Sequence, residues 1–204
     1  MLQFEILKPF SDQLESGVIP DAFSMEDAVM ADQIHTDVIL EVAEKPADLP
    51  QCDAFITRQK GLPILVKTAD CQGIIIYDPV TQSVATVHSG WRSSCLNILG
   101  KVVKRMRDFF GSSPDDLLAC IGPSLGPCCA EFSDPGNELP AFCYPFIKEN
   151  NHVDFWGLSI NQLEAAGIPP FQIELSGQCT KCQPGFLSHR KGDGGRMGVF
   201  AKLL

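Results

Sequence analysis

The chain has 204 residues, 45% hydrophobic and 20% charged, a globular balance that excludes general disorder and supplies enough apolar side chains for a sizeable core. Its formal net charge of −9 excludes the basic face that nucleic-acid backbones require, although a few focused arginines can still hold a small anion. No run approaches the roughly 18 apolar residues of a membrane span, and "MLQFEILKPF" has no signal-peptide pattern, so a soluble cytoplasmic protein with no nucleic-acid or membrane partner is expected.

In chain order, "LQFEIL" reads as a short strand followed by a loop to Pro20. Val38, Leu40 and Val42 alternate against Ile39 and Glu41, a second extended segment. "DAFITRQKGLPILVKTADC" reads as strand, turn, strand. "GIIIYDP" is a β-branched run closed by Asp78-Pro79, and "QSVATVHSG" alternates up to Gly90. In "SSCLNILGKVVKRMRDFFG" the residues Leu96, Leu99, Val103, Met106 and Phe110 share one helical face, and Gly111 suits the position after the helix. Ser113-Pro114 starts a short turn or helix, "LLACIGP" is a strand, and "SLGPCCAEFSDPGNELP" is loop-rich. "WGLSINQLEAAGI" is helical, "FQIELSG" extended, and "GFLSHRK", "GDGG" and "RMGVFAKLL" form a terminal hairpin. Strands and helices do not alternate regularly. The expected class is therefore α+β, mixed sheets with flanking helices, in one domain over residues 1–204.

Only four histidines occur, and His35, His88 and Cys71 all lie at the ends of extended segments. A Cys-His₂ set gives zinc three protein ligands and leaves a fourth position free, the arrangement of catalytic rather than structural sites. The same atoms allow a second reading, with Cys71 as a thiolate nucleophile and His88 as its base. A third is a polar residue at each strand end with no shared role. Arg58, Arg92, Arg190 and Arg196 are candidates to clamp a phosphate or carboxylate. Asp70 is either an orienting group or a turn residue. Nine cysteines, an odd number, argue against a disulfide framework in a reducing compartment. Cys179 and Cys182 form a CxxC unit and Cys128-Cys129 an adjacent pair. Zinc knots usually combine two CxxC units, so these four are expected to be packing or loop cysteines, with a second metal as the minor reading.

The segments "QIHTD", "FITRQKGLPILVKTADCQGIIIYDP", "VATVHSGWRSS", "ACIGPSLGPCCAEF", "GQCT" and "SHRKGDGGRMGVF" resemble, in the same order, the bacterial YfiH-type family, which has been called polyphenol oxidase or laccase-domain and is described as purine nucleoside phosphorylase. The resemblance runs from about residue 31 to the C-terminus and implies a layered α/β sandwich. It also implies a zinc site made by His35, Cys71 and His88, with copper as an alternative occupant. The implied reactions are phosphorolysis of adenosine, inosine and methylthioadenosine, and adenosine deamination, by a monomer or homodimer acting on nucleoside and phosphate. The family's relation to cysteine-histidine deamidating enzymes keeps a metal-independent Cys71/His88 amide hydrolase as the alternative. A copper-dependent phenol oxidase is disfavoured, because one Cys-His₂ set does not supply the several coppers of four-electron oxygen reduction. A metal-binding scaffold without turnover is the non-enzymatic alternative. The chain departs from the family pattern in a shortened N-terminal part and at Thr36, Ser89, Ser93, Ala130, His189 and Lys191, residues that surround the ligands and bear on nucleoside preference.

Overall fold

A computed structural model describes residues 1–204. Nine strands occur in the order β1 (Leu14–Ile19), β2 (Ile39–Glu41), β3 (Ala54–Thr57), β4 (Ile64–Thr68), β5 (Gln72–Asp78), β6 (Ser83–Ser89), β7 (Leu118–Ile121), β8 (Ile173–Leu175) and β9 (Met197–Leu203). Four α-helices accompany them: α1 (Trp91–Cys95), α2 (Ile98–Phe110), α3 (Pro135–Glu138) and α4 (Phe155–Ala165). The strands form a three-stranded sheet, β1-β9-β4, and a six-stranded sheet, β2-β3-β6-β5-β7-β8. The small sheet is antiparallel throughout, whereas the large one is parallel at its two outer pairs and antiparallel between. The α+β class with mixed sheets is thus observed.

The period of two explains the layering. In β5, Ile75 and Tyr77 face one core with Val66 and Val199 of the small sheet, while Ile74 and Ile76 face a second core with α2 and α4. Buried on both faces, β5 reads as a near-continuous apolar run, whereas β6 alternates and buries the polar Ser83, Thr86, His88 and Ser89 among its apolar residues. Helix α2 buries Ile98, Leu99, Val102, Val103 and Met106, each contributing roughly 1.5–3 kcal/mol. It stops at Gly111, whose φ of 74° is the left-handed conformation of a helix end.

Three expectations are corrected. The helix predicted from Ser93 is split at Asn97, which adopts φ 55° and accepts a hydrogen bond on its side chain from the Gly100 N–H at 3.2 Å. Leu96 consequently leaves the apolar stripe and is exposed. Residues 5–10 form a 3₁₀ turn, not a strand; Glu174 accepts from the N–H groups of Glu5 and Ile6 at its start, and Pro9 lacks a ladder donor. No hairpin joins residues 185–191 to the terminal strand. The Asp193 and Asp70 carboxylates take the N–H groups of Ser188 and Arg190, and β9 instead pairs with β1 on one side and β4 on the other.

Candidate functional site

The register of the large sheet brings the chemistry to one edge. Strand β5 pairs antiparallel with β6, setting Gln72 opposite Ser89 and Gly73 opposite His88, so Cys71, just before β5, lies beside the end of β6. Strand β3 is antiparallel to β6 on its other side, with Ala54 opposite Val87, which puts Asp53 at the same edge. His35, ahead of β2, completes the group in a left-handed backbone conformation (φ 59°). The Cys71 sulfur is 3.9 Å from His35 Nε2, and the donor atoms of His35, Cys71 and His88 all lie within 4.8 Å of one another.

Asp53, fully buried, is the hub of this arrangement. Its Oδ1 accepts from the His35 N–H at 3.0 Å and bonds His88 Nδ1 at 2.7 Å. Its Oδ2 accepts from the Thr36 N–H at 2.7 Å and the Thr36 hydroxyl at 3.0 Å. Burial raises the Asp53 pKa, but the His88 bond and the Thr36 donors outweigh it and hold the carboxyl below the usual carboxylate range. A carboxylate there fixes hydrogen on His88 Nδ1 and leaves Nε2 as the free donor atom. Burial also raises Cys71, yet the hydrogen bonds and charges of His35 and His88 bring its thiol down to about 6. His88 is lowered by burial and raised further by Asp53 and Cys71, to about 9. Both shifts favour a Cys71 thiolate beside a His88 imidazolium in the metal-free protein, the imidazolium giving up its Nε2 hydrogen when that nitrogen binds a metal.

The donors fit a divalent metal. A tetrahedral ion with Zn–S near 2.3 Å and Zn–N near 2.0–2.1 Å sets sulfur and nitrogen about 3.6 Å apart, close to the observed 3.9 Å. Gly90 supplies a second test of fit. A Cβ at that position would sit 2.9 Å from His35 Cδ2 and 3.1 Å from the Cys71 sulfur, so the absence of a side chain at Gly90 lets the chain pass behind His35 and Cys71 without displacing them.

These residues form the floor of a cleft of about 860 Å³. Arg92, Arg190 and Arg196 line it; Arg58 does not. Because β3 and β6 run antiparallel, Arg58, which follows Thr57, lies at the opposite end of the ladder from His88, with its guanidinium 5.9 Å from the Phe110 ring. Arg92 stacks on Trp91 at 4.1 Å, and Arg190 donates to the Glu131 carbonyl at 2.8 Å. Asp70 adopts φ 91° and accepts from the Thr180 hydroxyl and the Arg190 N–H, both at 2.7 Å, which ties the segment after β8 to the residue before Cys71.

Several cleft residues were missed from sequence. Lys67 adds a cation, its backbone held by Gln33, whose side chain both donates to the Lys67 carbonyl and accepts from the Lys67 N–H. Trp91, Phe132 and Phe155 make an aromatic wall, with centroids 5.9 and 5.7 Å apart in succession. The Gln72 side chain donates to the Phe155 carbonyl at 2.8 Å, while its buried Oε1 has no protein donor. Asp53 carried one readable signal, a charged residue between Cys52 and the apolar strand Ala54–Thr57, where burial demands partners. The four cysteines Cys128, Cys129, Cys179 and Cys182, expected to pack or sit in loops, do lie in loops, and their sulfurs all fall within 4.8 Å of one another.

The profile described as multi-copper polyphenol oxidoreductase laccase matches residues 18–204. A purine nucleoside phosphorylase of Bacteroides thetaiotaomicron is 34% identical over 139 residues, which are 63% of this chain and 51% of the relative. This chain thus spans about half the length of that relative. Purine nucleoside phosphorylase YlmD of Bacillus subtilis is 30% identical across 89% of this chain and 73% of its own. A protein named adenosine deaminase RL5, from an unknown prokaryotic organism, is 31% identical across 82% and 71%. Among solved structures, the hypothetical protein YfiH of Bacillus licheniformis superposes with a TM-score of 0.79 at 31% identity, covering 88% of this chain and 75% of that one. YlmD of Geobacillus stearothermophilus gives 0.77 at 27% identity, over 88% and 74%. By profile, identity and fold together, the chain belongs to the YfiH-type, laccase-like family.

Proposed function

We infer that this chain is a metal-dependent purine nucleoside enzyme. It phosphorolyses adenosine and inosine to the free base and ribose 1-phosphate, and methylthioadenosine to adenine and 5-methylthioribose 1-phosphate, and it deaminates adenosine. The observation that carries the reading is the convergence of His35, Cys71 and His88 on the floor of a cleft that also offers aromatic faces and four cations. The names of the relatives, purine nucleoside phosphorylase and adenosine deaminase, support the same class. The cleft volume lies within the roughly 300–1,000 Å³ of small-molecule sites.

The nitrogen and sulfur donors suit zinc, with copper as the alternative occupant. When bound, the ion supplies a Lewis acid at the cleft floor. The other tasks fall to side chains. Asp53 keeps His88 in the tautomer with a free Nε2. Trp91, Phe132 and Phe155 offer flat apolar contact to a purine. Lys67, Arg92, Arg190 and Arg196 complement a phosphate dianion. In phosphorolysis a phosphate oxygen bonds to C1′ as the C1′–N9 bond breaks, and the purine leaves with the electron pair and takes up a proton. In deamination water adds at C6 and ammonia departs.

The test is incubation of metal-loaded protein with each nucleoside, with and without phosphate. Ribose 1-phosphate and free base are expected only with phosphate, and inosine from adenosine without it. Wild-type protein that yields none of these products refutes the reading. A second reading has its own support: Asp53, His88 and Cys71 stand in the order orienter, base and nucleophile, as in a cysteine amide hydrolase. His35, 3.9 Å from the same sulfur, has no task in that scheme, which favours the metal. Turnover that survives complete chelation, together with a covalent adduct on Cys71, would reverse the preference.

A further inference from the structure

We propose that Cys128, Cys129, Cys179 and Cys182 form a second metal site, a four-thiolate zinc centre that clasps the two loops forming one wall of the cleft. The pairs lie some fifty positions apart in sequence, but β7 and β8 are parallel neighbours, so the loops that follow them leave the sheet at the same end. The Ser124 N–H donates to the Gln178 carbonyl at 3.1 Å and the Thr180 N–H to the Ser124 carbonyl at 3.0 Å, which aligns the two loops. All four sulfurs then fall within 4.8 Å of one another, with Cys182 3.2 Å from both Cys128 and Cys129. A tetrahedral zinc with Zn–S near 2.3 Å sets its sulfurs about 3.8 Å apart, between those limits.

Two simpler explanations fit less well. Packing is the role of Cys52 and Cys120, which are buried within the apolar core, whereas Cys128 and Cys182 are exposed. A disulfide would join Cys182 to one neighbour and strand the other, yet both lie at the same distance. The surroundings also suit thiolates: the Gly126 N–H points at the Cys179 sulfur at 3.3 Å, the kind of backbone donor that steadies a metal-bound sulfur. Four soft sulfur ligands in a closed set select zinc over hard cations such as magnesium or calcium.

The centre shares no ligand with the His35, Cys71 and His88 set, and it stands whatever reaction that set performs. Its place gives it a structural task. Between β8 and β9 the chain has only one 3₁₀ turn, His189–Lys191, yet it carries Arg190 and Arg196 into the cleft. Leu125, Ala130 and Phe132 on the other loop line the same cleft. Thr180, inside the CxxC unit, bonds Asp70 beside Cys71. A metal here would fix both loops by coordination where regular secondary structure does not.

Native mass spectrometry of protein purified under reducing conditions, with zinc K-edge absorption spectroscopy, tests this. Wild type is expected to carry two zinc ions per chain, with five sulfurs shared between them. The double variant His35→Ala/Cys71→Ala should retain one ion with a sulfur-only shell. Cys128→Ser/Cys182→Ser should lose that ion and keep the other. A single zinc in wild type with none in His35→Ala/Cys71→Ala overturns the proposal, even if the cysteine-to-serine variant fails to fold. So does a disulfide among the four cysteines in protein alkylated at lysis.

Discussion

Replacing Asp53 by asparagine is the sharpest test of how the cleft floor is held. The aspartate offers two acceptor oxygens to four donors: the N–H groups of His35 and Thr36, the Thr36 hydroxyl and His88 Nδ1. Asparagine has only one acceptor oxygen. With its NH₂ toward Thr36, it strands that backbone N–H. Turned over, it strands the His35 N–H and forces His88 into the tautomer with hydrogen on Nε2, leaving no lone pair there for a metal. A stranded buried donor costs about 1–3 kcal/mol and a lost charge-assisted bond about 1.5–3 kcal/mol, so the variant should be destabilised by roughly 3–5 kcal/mol. At about 2–4 °C per kcal/mol for a chain of this size, Tm should fall by about 10 °C. Zinc affinity, measured by chelator competition, should drop about 10–100-fold, as for other orienting partners of ligand histidines. Thermal unfolding of metal-free and zinc-loaded protein separates the two effects. Unchanged Tm and unchanged affinity in Asp53→Asn would refute the role given to this carboxylate.

Gly90→Ala adds a single methyl group against His35 and Cys71 at an ordinary backbone conformation (φ −78°). Overpacking of about 1–3 kcal/mol should leave the protein folded by circular dichroism while removing most of its metal at the cleft floor. In metal-free protein, alkylation of Cys71, followed on its own peptide by mass spectrometry, should rise with pH through a midpoint of about 6 and then level off; a midpoint near that of an ordinary thiol would contradict the ion pair. Stability itself should respond little to this pair. The depressed Cys71 thiol adds stability as pH rises from about 6 to 9, whereas the raised His88 loses it from 6.5 to about 9; over their shared range the two proton uptakes cancel, which a urea-unfolding series against pH can check. Arg196→Ala should raise KM for phosphate several-fold, while Arg58→Ala, at the far end of the ladder, should leave it unchanged in steady-state assays.

The cores were legible because β5 carries an unbroken isoleucine run and β6 alternates its apolar residues with polar ones. The convergence of His35, Cys71 and His88 was partly legible for a related reason: Cys71 directly precedes β5 and His88 stands near the end of β6, whereas His35 lies in the loop ahead of β2. Strand β1 was not, since "LESGVI" alternates poorly and owes its order to β9, which is remote in sequence. Arg58 was misjudged because strand direction decides which end of a sheet a residue reaches, and direction is a property of the pairing. Asp53 was legible only as an acid set directly before an apolar strand; its bonds to Thr36 and His88 supply the rest. The sulfur cluster depended on the parallel adjacency of β7 and β8, which no local pattern announces.

The position of β9 carries a consequence for how the molecule is made. Met197–Leu203 fill the middle of the small sheet and are remote in sequence from both strands they separate, so β1 and β4 find no partner strand in their own neighbourhoods and the sheet stays open until β9 docks. Until then the apolar side chains of both strands lack their cover, and the open strand edges are free to pair wrongly. Closure of this sheet rests on long-range pairing alone, which makes the docking of β9 the folding step most exposed to mispairing.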